Sequence, residues 1–163
     1  VSGLEIYQTA VAPEWIDYNG HLRDAYYVLI VSQATDALMD HLGLDAAYRT
    51  RTHCTLYTLE LHIHYLHEVR RSDTAVVRVR ILAADHKRVH AAFELRRGTE
   101  GPAAAAAEVM LLHVRQQPEG VVSAPFPPAV TAALTELQAS TAAAPAAVPG
   151  SRRMELRGGR PAP

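Results

Sequence analysis

Polar and apolar positions change rhythm along the chain, and each rhythm marks a separate element. Residues 4–11 alternate loosely in branched and aromatic side chains, the pattern of a strand, and Pro13 ends it. Over residues 22–42 the apolar spacing becomes three and four, with no proline or glycine until Gly43. That run predicts a helix of about five turns. Its middle, residues 26–34, is apolar on nearly every side, so other structure has to wrap it.

The wrapping comes from four further predicted strands, 55–66, 74–83, 89–96 and 104–114, separated by turn-like segments at 71–73, 85–87 and 98–102. Val77, Val79 and Ile81 alternate with Arg78, Arg80 and Leu82, as in a sheet with one packed face and one wetter face. The alanines at 103–107 prefer helix by propensity, and the apolar run that follows them argues for strand. The expected class is α+β, an antiparallel sheet of about five strands wrapped around one long central helix. Residues 127–139 read as a short helix. An Ala-, Pro- and Arg-rich disordered tail is expected over 140–163, after a single domain at 1–139.

Composition narrows the function classes. With 163 residues, 48% of them apolar, the chain can bury one core of ordinary size. Lysine plus arginine (16) nearly balance aspartate plus glutamate (17), so no field recruits nucleic acid or an anionic membrane. A lone cysteine, Cys54, and the lack of an export pattern predict a cytoplasmic protein. No apolar run approaches the roughly 20 residues that span a bilayer.

Candidate chemistry gathers between the first strand and the long helix. Asp17, Asn19 and His21 fall where a helix exposes unpaired N–H groups, here expected at Leu22 to Asp24, and where its dipole is positive. Such donors stabilise the oxyanion formed when a thioester carbonyl is attacked. Asp17 then serves as general base or as nucleophile, Asn19 holds the water or the carbonyl, and His21 exchanges protons or donates to the carbonyl. The same residues also make an ordinary turn and cap, with Asp17 and Asn19 bonded to backbone and Gly20 at positive φ. Only the surrounding order of strand, loop, apolar helix and sheet favours the catalytic reading.

The run Asp17-Tyr18-Asn19-Gly20-His21-Leu22-Arg23-Asp24 resembles the Asp-x-Asn-x-His-(Val/Leu)-Asn-Asn signature of hotdog acyl thioesterases of the 4-hydroxybenzoyl-CoA thioesterase-like superfamily. Plant acyl-carrier-protein thioesterases share it, and Tyr65-Leu66-His67-Glu68-Val69 is similar to their Tyr-x-x-Glu-Cys segment. That likeness implies an active-site role for Glu68. Val69 occupies the cysteine position, so no thiol nucleophile stands there, and Cys54 reads as a small apolar core residue.

Residues 4–115 resemble a narrower group, bacterial thioesterases of carnitine breakdown that hydrolyse betainyl-CoA to glycine betaine and CoA. Pro13-Glu14-Trp15-Ile16-Asp17-Tyr18-Asn19-Gly20-His21, Asp24-Ala25-Tyr26-Tyr27, Ala34-Thr35-Asp36-Ala37-Leu38 and Tyr57-Thr58-Leu59-Glu60 carry the likeness. Some such relatives are fused behind a carnitine dehydrogenase. The resemblance implies a hotdog fold and hydrolysis of a short acyl-CoA without metal or organic cofactor. Because a single curled sheet leaves an edge open, a homodimer or tetramer is expected to complete the site.

A trimethylammonium group favours aromatic faces, and Trp15, Tyr18, Tyr26, Tyr27, Tyr57 and Tyr65 offer them, although tyrosines on a buried helix also fit a core. Glu14 or Glu60 would supply a counter-charge. His62 and His64 share a strand face, but with His53 and His67 they lack the spacing of a zinc site, so no metal is expected. Arg70, Arg71, Lys87 and Arg88 fit either CoA phosphates or solvated turns. Two other classes share the fold. One is an enoyl-CoA hydratase, whose Asp-x-Asn-Pro-x-His spacing is not met because Gly20 runs directly into His21; the other is an acyl-CoA-binding module without turnover.

Overall fold

Long apolar periodicities become the long elements of the computed structural model, which describes residues 3–142. In chain order they are β1 (Leu4–Ala10), a 3-10 turn (Pro13–Trp15), α1 (Asp24–His41), α2 (Ala46–Thr52), β2 (Cys54–Tyr65), β3 (Thr74–Ala84), β4 (Arg88–Arg97), β5 (Ala103–Gln117), β6 (Gly120–Ser123) and α3 (Pro128–Thr141). One antiparallel sheet runs in the order β1-β3-β4-β5-β2, and β6 pairs with the far end of β5. This is the α+β hotdog arrangement expected from the sequence, with a sixth strand. β6 is only four residues long, too short to show a rhythm, and it folds back through Gly120 at φ 138°.

The inner face of α1 is a stripe of Tyr27, Ile30, Val31, Ala34, Leu38 and Met39, all buried. It lies on β1, β3 and β4, whose Val77, Val79, Val89, Ala91, Phe93 and Leu95 face it from the sheet. Each large side chain buried there contributes about 1.5–3 kcal/mol. Gly43 adopts φ 78°, and the bonds from Gly43 N–H to Asp40 O and from Leu44 N–H to Met39 O close the helix.

Two expectations about the helix need correction. It begins at Asp24 rather than 22, because Arg23 takes extended angles and the Leu22 N–H is used outside the helix. Nor is its middle wrapped all round: Val28 and Leu29 are 36% and 38% exposed. A single sheet has one concave face and covers one side of a helix. The remaining apolar positions belong to a surface that this chain does not cover itself.

Propensity also gave way to tertiary context at the alanine run. Ala105 pairs with Tyr65 on one side and Leu95 on the other, so two ladders of backbone bonds hold a segment that would be helical alone. The short helix α2 had only one local signal, Asp45, whose carboxylate accepts the Tyr48 N–H at 2.8 Å as an N-cap. Near the end of the described chain, α3 buries Val130, Leu134 and Leu137, and Gln138 Nε2 donates to Leu82 O. It runs to Thr141, past the expected boundary at 139, and the rest of the expected tail lies outside the described residues. No helix of the described residues is long and apolar enough to cross a membrane.

Candidate active site

Backbone bonds build the Asp17 loop before any side chain acts. The Asp17 N–H donates to His21 O at 2.9 Å, and the Gly20 N–H donates to Asp17 O at 3.0 Å. Gly20 sits at φ 79°, in the left-handed region that a side chain disfavours. Asp17 Oδ1 accepts the N–H groups of Asn19 (2.8 Å) and His21 (3.2 Å). The carboxylate therefore organises its own turn through one oxygen, and Oδ2 has no hydrogen-bond partner among the described residues.

The turn is tied to the segment after β2. Leu22 N–H donates to Val69 O at 2.7 Å, His21 bridges to Arg70, and Arg23 N–H donates to Trp15 O at 3.0 Å. These contacts bring Asp17, His21 and Glu68 into one neighbourhood, close enough for the His21 charge to act on both carboxylates. Desolvation raises the pKa of Asp17, but the N–H groups of His21 and Asn19, with the charges of His21 and Arg23, outweigh it and lower the net value below 3.8. Glu68 is held below 4.5 by its own backbone N–H and by Arg70, whose guanidinium lies 3.1 Å away. Both are carboxylates at neutral pH, suited to accepting a proton or attacking rather than to acting as acids.

The expected donors at the helix start are fewer than the sequence implied. The amides of Leu22 and Arg23 are already bonded, and the Ala25 N–H is taken by Asp24 Oδ1 at 2.9 Å. Among the described residues, that leaves the Asp24 N–H as the open amide at the positive end of α1. Asn19 is exposed at the tip of the turn.

The six candidate aromatic residues fall into separate groups. Trp15 and Tyr26 stack at 5.5 Å with an 18° interplanar angle, too close for a trimethylammonium group to enter between them. Tyr27 is 4% exposed, and its hydroxyl donates to His67 O (3.3 Å) and accepts the Val69 N–H (3.1 Å). Burial raises its pKa and keeps it neutral, so it pins the Glu68 segment onto α1. Tyr65 meets Tyr27 edge-on at 5.2 Å, donates to Asp24 O at 3.2 Å, and stays 50% exposed. Tyr18 is 94% exposed. Tyr57 precedes Tyr65 by eight residues on β2, a separation of about 26 Å at the strand rise, and its hydroxyl accepts from Gln116.

Other candidates are placed as follows. Glu14 is exposed in the 3-10 turn, and Glu60 pairs with His62 at 2.6 Å. Among the described residues no three His, Cys, Asp or Glu side chains converge as metal ligands. Arg88 pairs with Asp85, Lys87 donates to Ser123, and Arg71 is exposed. A cleft of about 330 Å³ lies between α3 and the β3–β4 turn, lined by Asp85, His86, Phe126, Leu134 and Gln138, and includes none of the predicted site residues. Sequence reasoning missed one role, the Tyr27 hydroxyl as a pin, and of the amides it expected at Leu22 to Asp24 only that of Asp24 is open among the described residues.

A curled sheet over α1 is the hotdog fold, and the Asp17 turn lies at the helix's amino end. The chain belongs to the thioesterase-like superfamily, whose family profile matches residues 11–134. Its enzyme class is thioester hydrolase. A betainyl-CoA thioesterase of Pseudomonas aeruginosa PAO1 is 46% identical over 142 residues, covering 87% of this chain and 88% of that protein. An L-carnitine dehydrogenase/betainyl-CoA thioesterase of Agrobacterium fabrum C58 is 38% identical across 83% of this chain, which spans 27% of that longer protein. Among solved structures, a Pseudomonas putida KT2440 protein has a TM-score of 0.83 at 43% identity, with 96% of this chain and 99% of that one covered. A Staphylococcus aureus protein solved in complex with CoA has a TM-score of 0.81 at 25% identity, covering 96% and 98%.

Proposed function

We propose that this thioesterase hydrolyses betainyl-CoA to glycine betaine and CoA, using water and no metal or organic cofactor. The observation that carries the reading is the 46% identity, over most of both chains, to a protein named for that activity. The ionised Asp17 carboxylate takes a proton from water as its oxygen attacks the thioester carbonyl. The Asp24 N–H receives the oxyanion at the positive end of α1. Collapse expels CoA as the thiolate, which takes the proton held by Asp17 and so restores the carboxylate, while the acid formed loses its proton to solvent. Asn19 and His21 position the water and carbonyl, and Glu68 assists from the β2 side.

The active form in this reading is a homodimer, supported by the surface the chain leaves open. β2 is a twelve-residue edge strand, and Tyr57, Leu59, Tyr65 and Leu66 on or beside it are exposed together with Val28 and Leu29 of α1. A long apolar edge left bare invites pairing with another strand. An antiparallel meeting of two β2 strands carries the Tyr57 end of one protomer toward the Tyr65 end of the other and encloses the open loop. A cytoplasmic setting fits the buried, unpaired Cys54 thiol.

Incubation with a panel of acyl-CoAs and a thiol reagent tests the reading. Release of free CoA fastest from betainyl-CoA is expected. Loss of enoyl absorbance without CoA release would make the protein a hydratase, and acyl-CoA binding without turnover would make it a carrier.

A further inference from the structure

The positive charge of a betainyl group sits two bonds from the reacting carbonyl carbon, so its counter-charge has to belong to the reacting centre itself. Three carboxylates stand near the amino end of α1. Asp17 Oδ1 is bonded to the Asn19 and His21 amides, and Glu68 is paired with Arg70. Asp24 is exposed, and among the described residues its carboxylate holds only the adjacent Ala25 N–H. Glu60 is excluded by position: it lies five residues before Tyr65, about 17 Å along β2, and pairs with His62.

An aromatic surface stands at the same spot. The Tyr65 hydroxyl donates to the Asp24 carbonyl at 3.2 Å, which anchors the ring beside that residue; burial raises the phenol's pKa, and the Asp24 charge adds to it. Tyr27 touches the ring by an edge-to-face contact, and half of Tyr65 stays open. A carboxylate and an aromatic surface together are what a quaternary ammonium group selects, because it offers no N–H donor and is recognised by charge and by π density alone.

We infer that Asp24, with the Tyr65 ring beside it, is the specificity-determining residue for a cationic acyl group. This assignment rests on betainyl-CoA being the substrate. One residue then serves both parts of the acyl group: its amide faces the developing oxyanion, and its side chain faces the cation. Trp15 and Tyr26, stacked on one another, act as support.

The test compares kcat/KM for betainyl-CoA with that for 3,3-dimethylbutanoyl-CoA, in which carbon replaces the quaternary nitrogen at equal shape. Asp24→Asn keeps an acceptor for the Ala25 N–H and removes the charge. The betainyl preference of the variant is expected to fall about tenfold, the scale of one coulombic contact near a protein surface, and Asp24→Glu is expected to recover part of it. Asp24→Ser serves the same comparison if the Asn variant does not fold. A preference ratio within twofold of the parent in the charge-free variants would overturn the role of Asp24 while leaving the thioesterase reading intact. A parent protein that hydrolyses neither ester would overturn the substrate reading and this assignment with it.

Discussion

Tyr27→Phe isolates the group that holds the site together. The ring keeps its buried place and its edge contact with Tyr65, so packing changes little, and only the hydroxyl is lost. Two partners are then left behind. His67 is exposed and its carbonyl finds water, whereas the N–H of the fully buried Val69 loses its acceptor. An unsatisfied buried amide costs about 1–3 kcal/mol. For a domain of this size each kcal/mol lowers Tm by about 2–4 °C, so a drop of roughly 2–12 °C is expected in a thermal melt followed by circular dichroism. Because Val69 O also receives the Leu22 N–H and Glu68 is its neighbour, kcat should fall with Tm. A Tm within about 1 °C of the parent, below the smallest shift those magnitudes allow, would refute the reasoning about this pin.

Gly20→Ala forces a side chain to φ 79° with no clash to relieve, and should lower stability by about 1 kcal/mol in urea unfolding. Asp17 and Glu68 both have lowered pKa values, so they stay charged as pH falls through 4.5, and Asp17 protonates only below 3.8. In a His21→Gln background, kcat/KM should accordingly be flat from about pH 5 to 7, and an acid limb persisting in that window would contradict the assignment. Leu59, at the bulge of β2 and 56% exposed, lies on the open edge; if the proposed homodimer pairs there, Leu59→Lys should leave a monomer in light scattering and depress turnover with it.

Much of this architecture is legible in the sequence because it depends on long rhythms. The α1 run and the β3 alternation of Val77, Val79 and Ile81 against Arg78 and Arg80 each span enough residues to declare a period. Elements that depend on one or two contacts were not legible. α2 hangs on the Asp45 cap, and β6 exists because Val114 and Arg115 offer it a free ladder. The Asp17 turn could be read from its residue types, but its attachment to Val69 and Arg70 joins positions nearly fifty apart and leaves no local trace. The aromatic residues show the same limit. Six rings in three segments suggested one cage, whereas strand geometry separates Tyr57 from Tyr65, and stacking closes the space between Trp15 and Tyr26.

Rapid-mixing measurement of CoA release from betainyl-CoA by Asp17→Asn is the most direct test of the carboxylate at the centre of the site. Asparagine retains an oxygen for the Asn19 and His21 amides, so the turn should persist while the negative charge and the basic oxygen are lost. The single-turnover rate should fall about 10²-fold or more, with an unchanged melting curve. A variant that releases CoA at the parent rate would contradict a catalytic role for Asp17 and leave it as a turn residue alone.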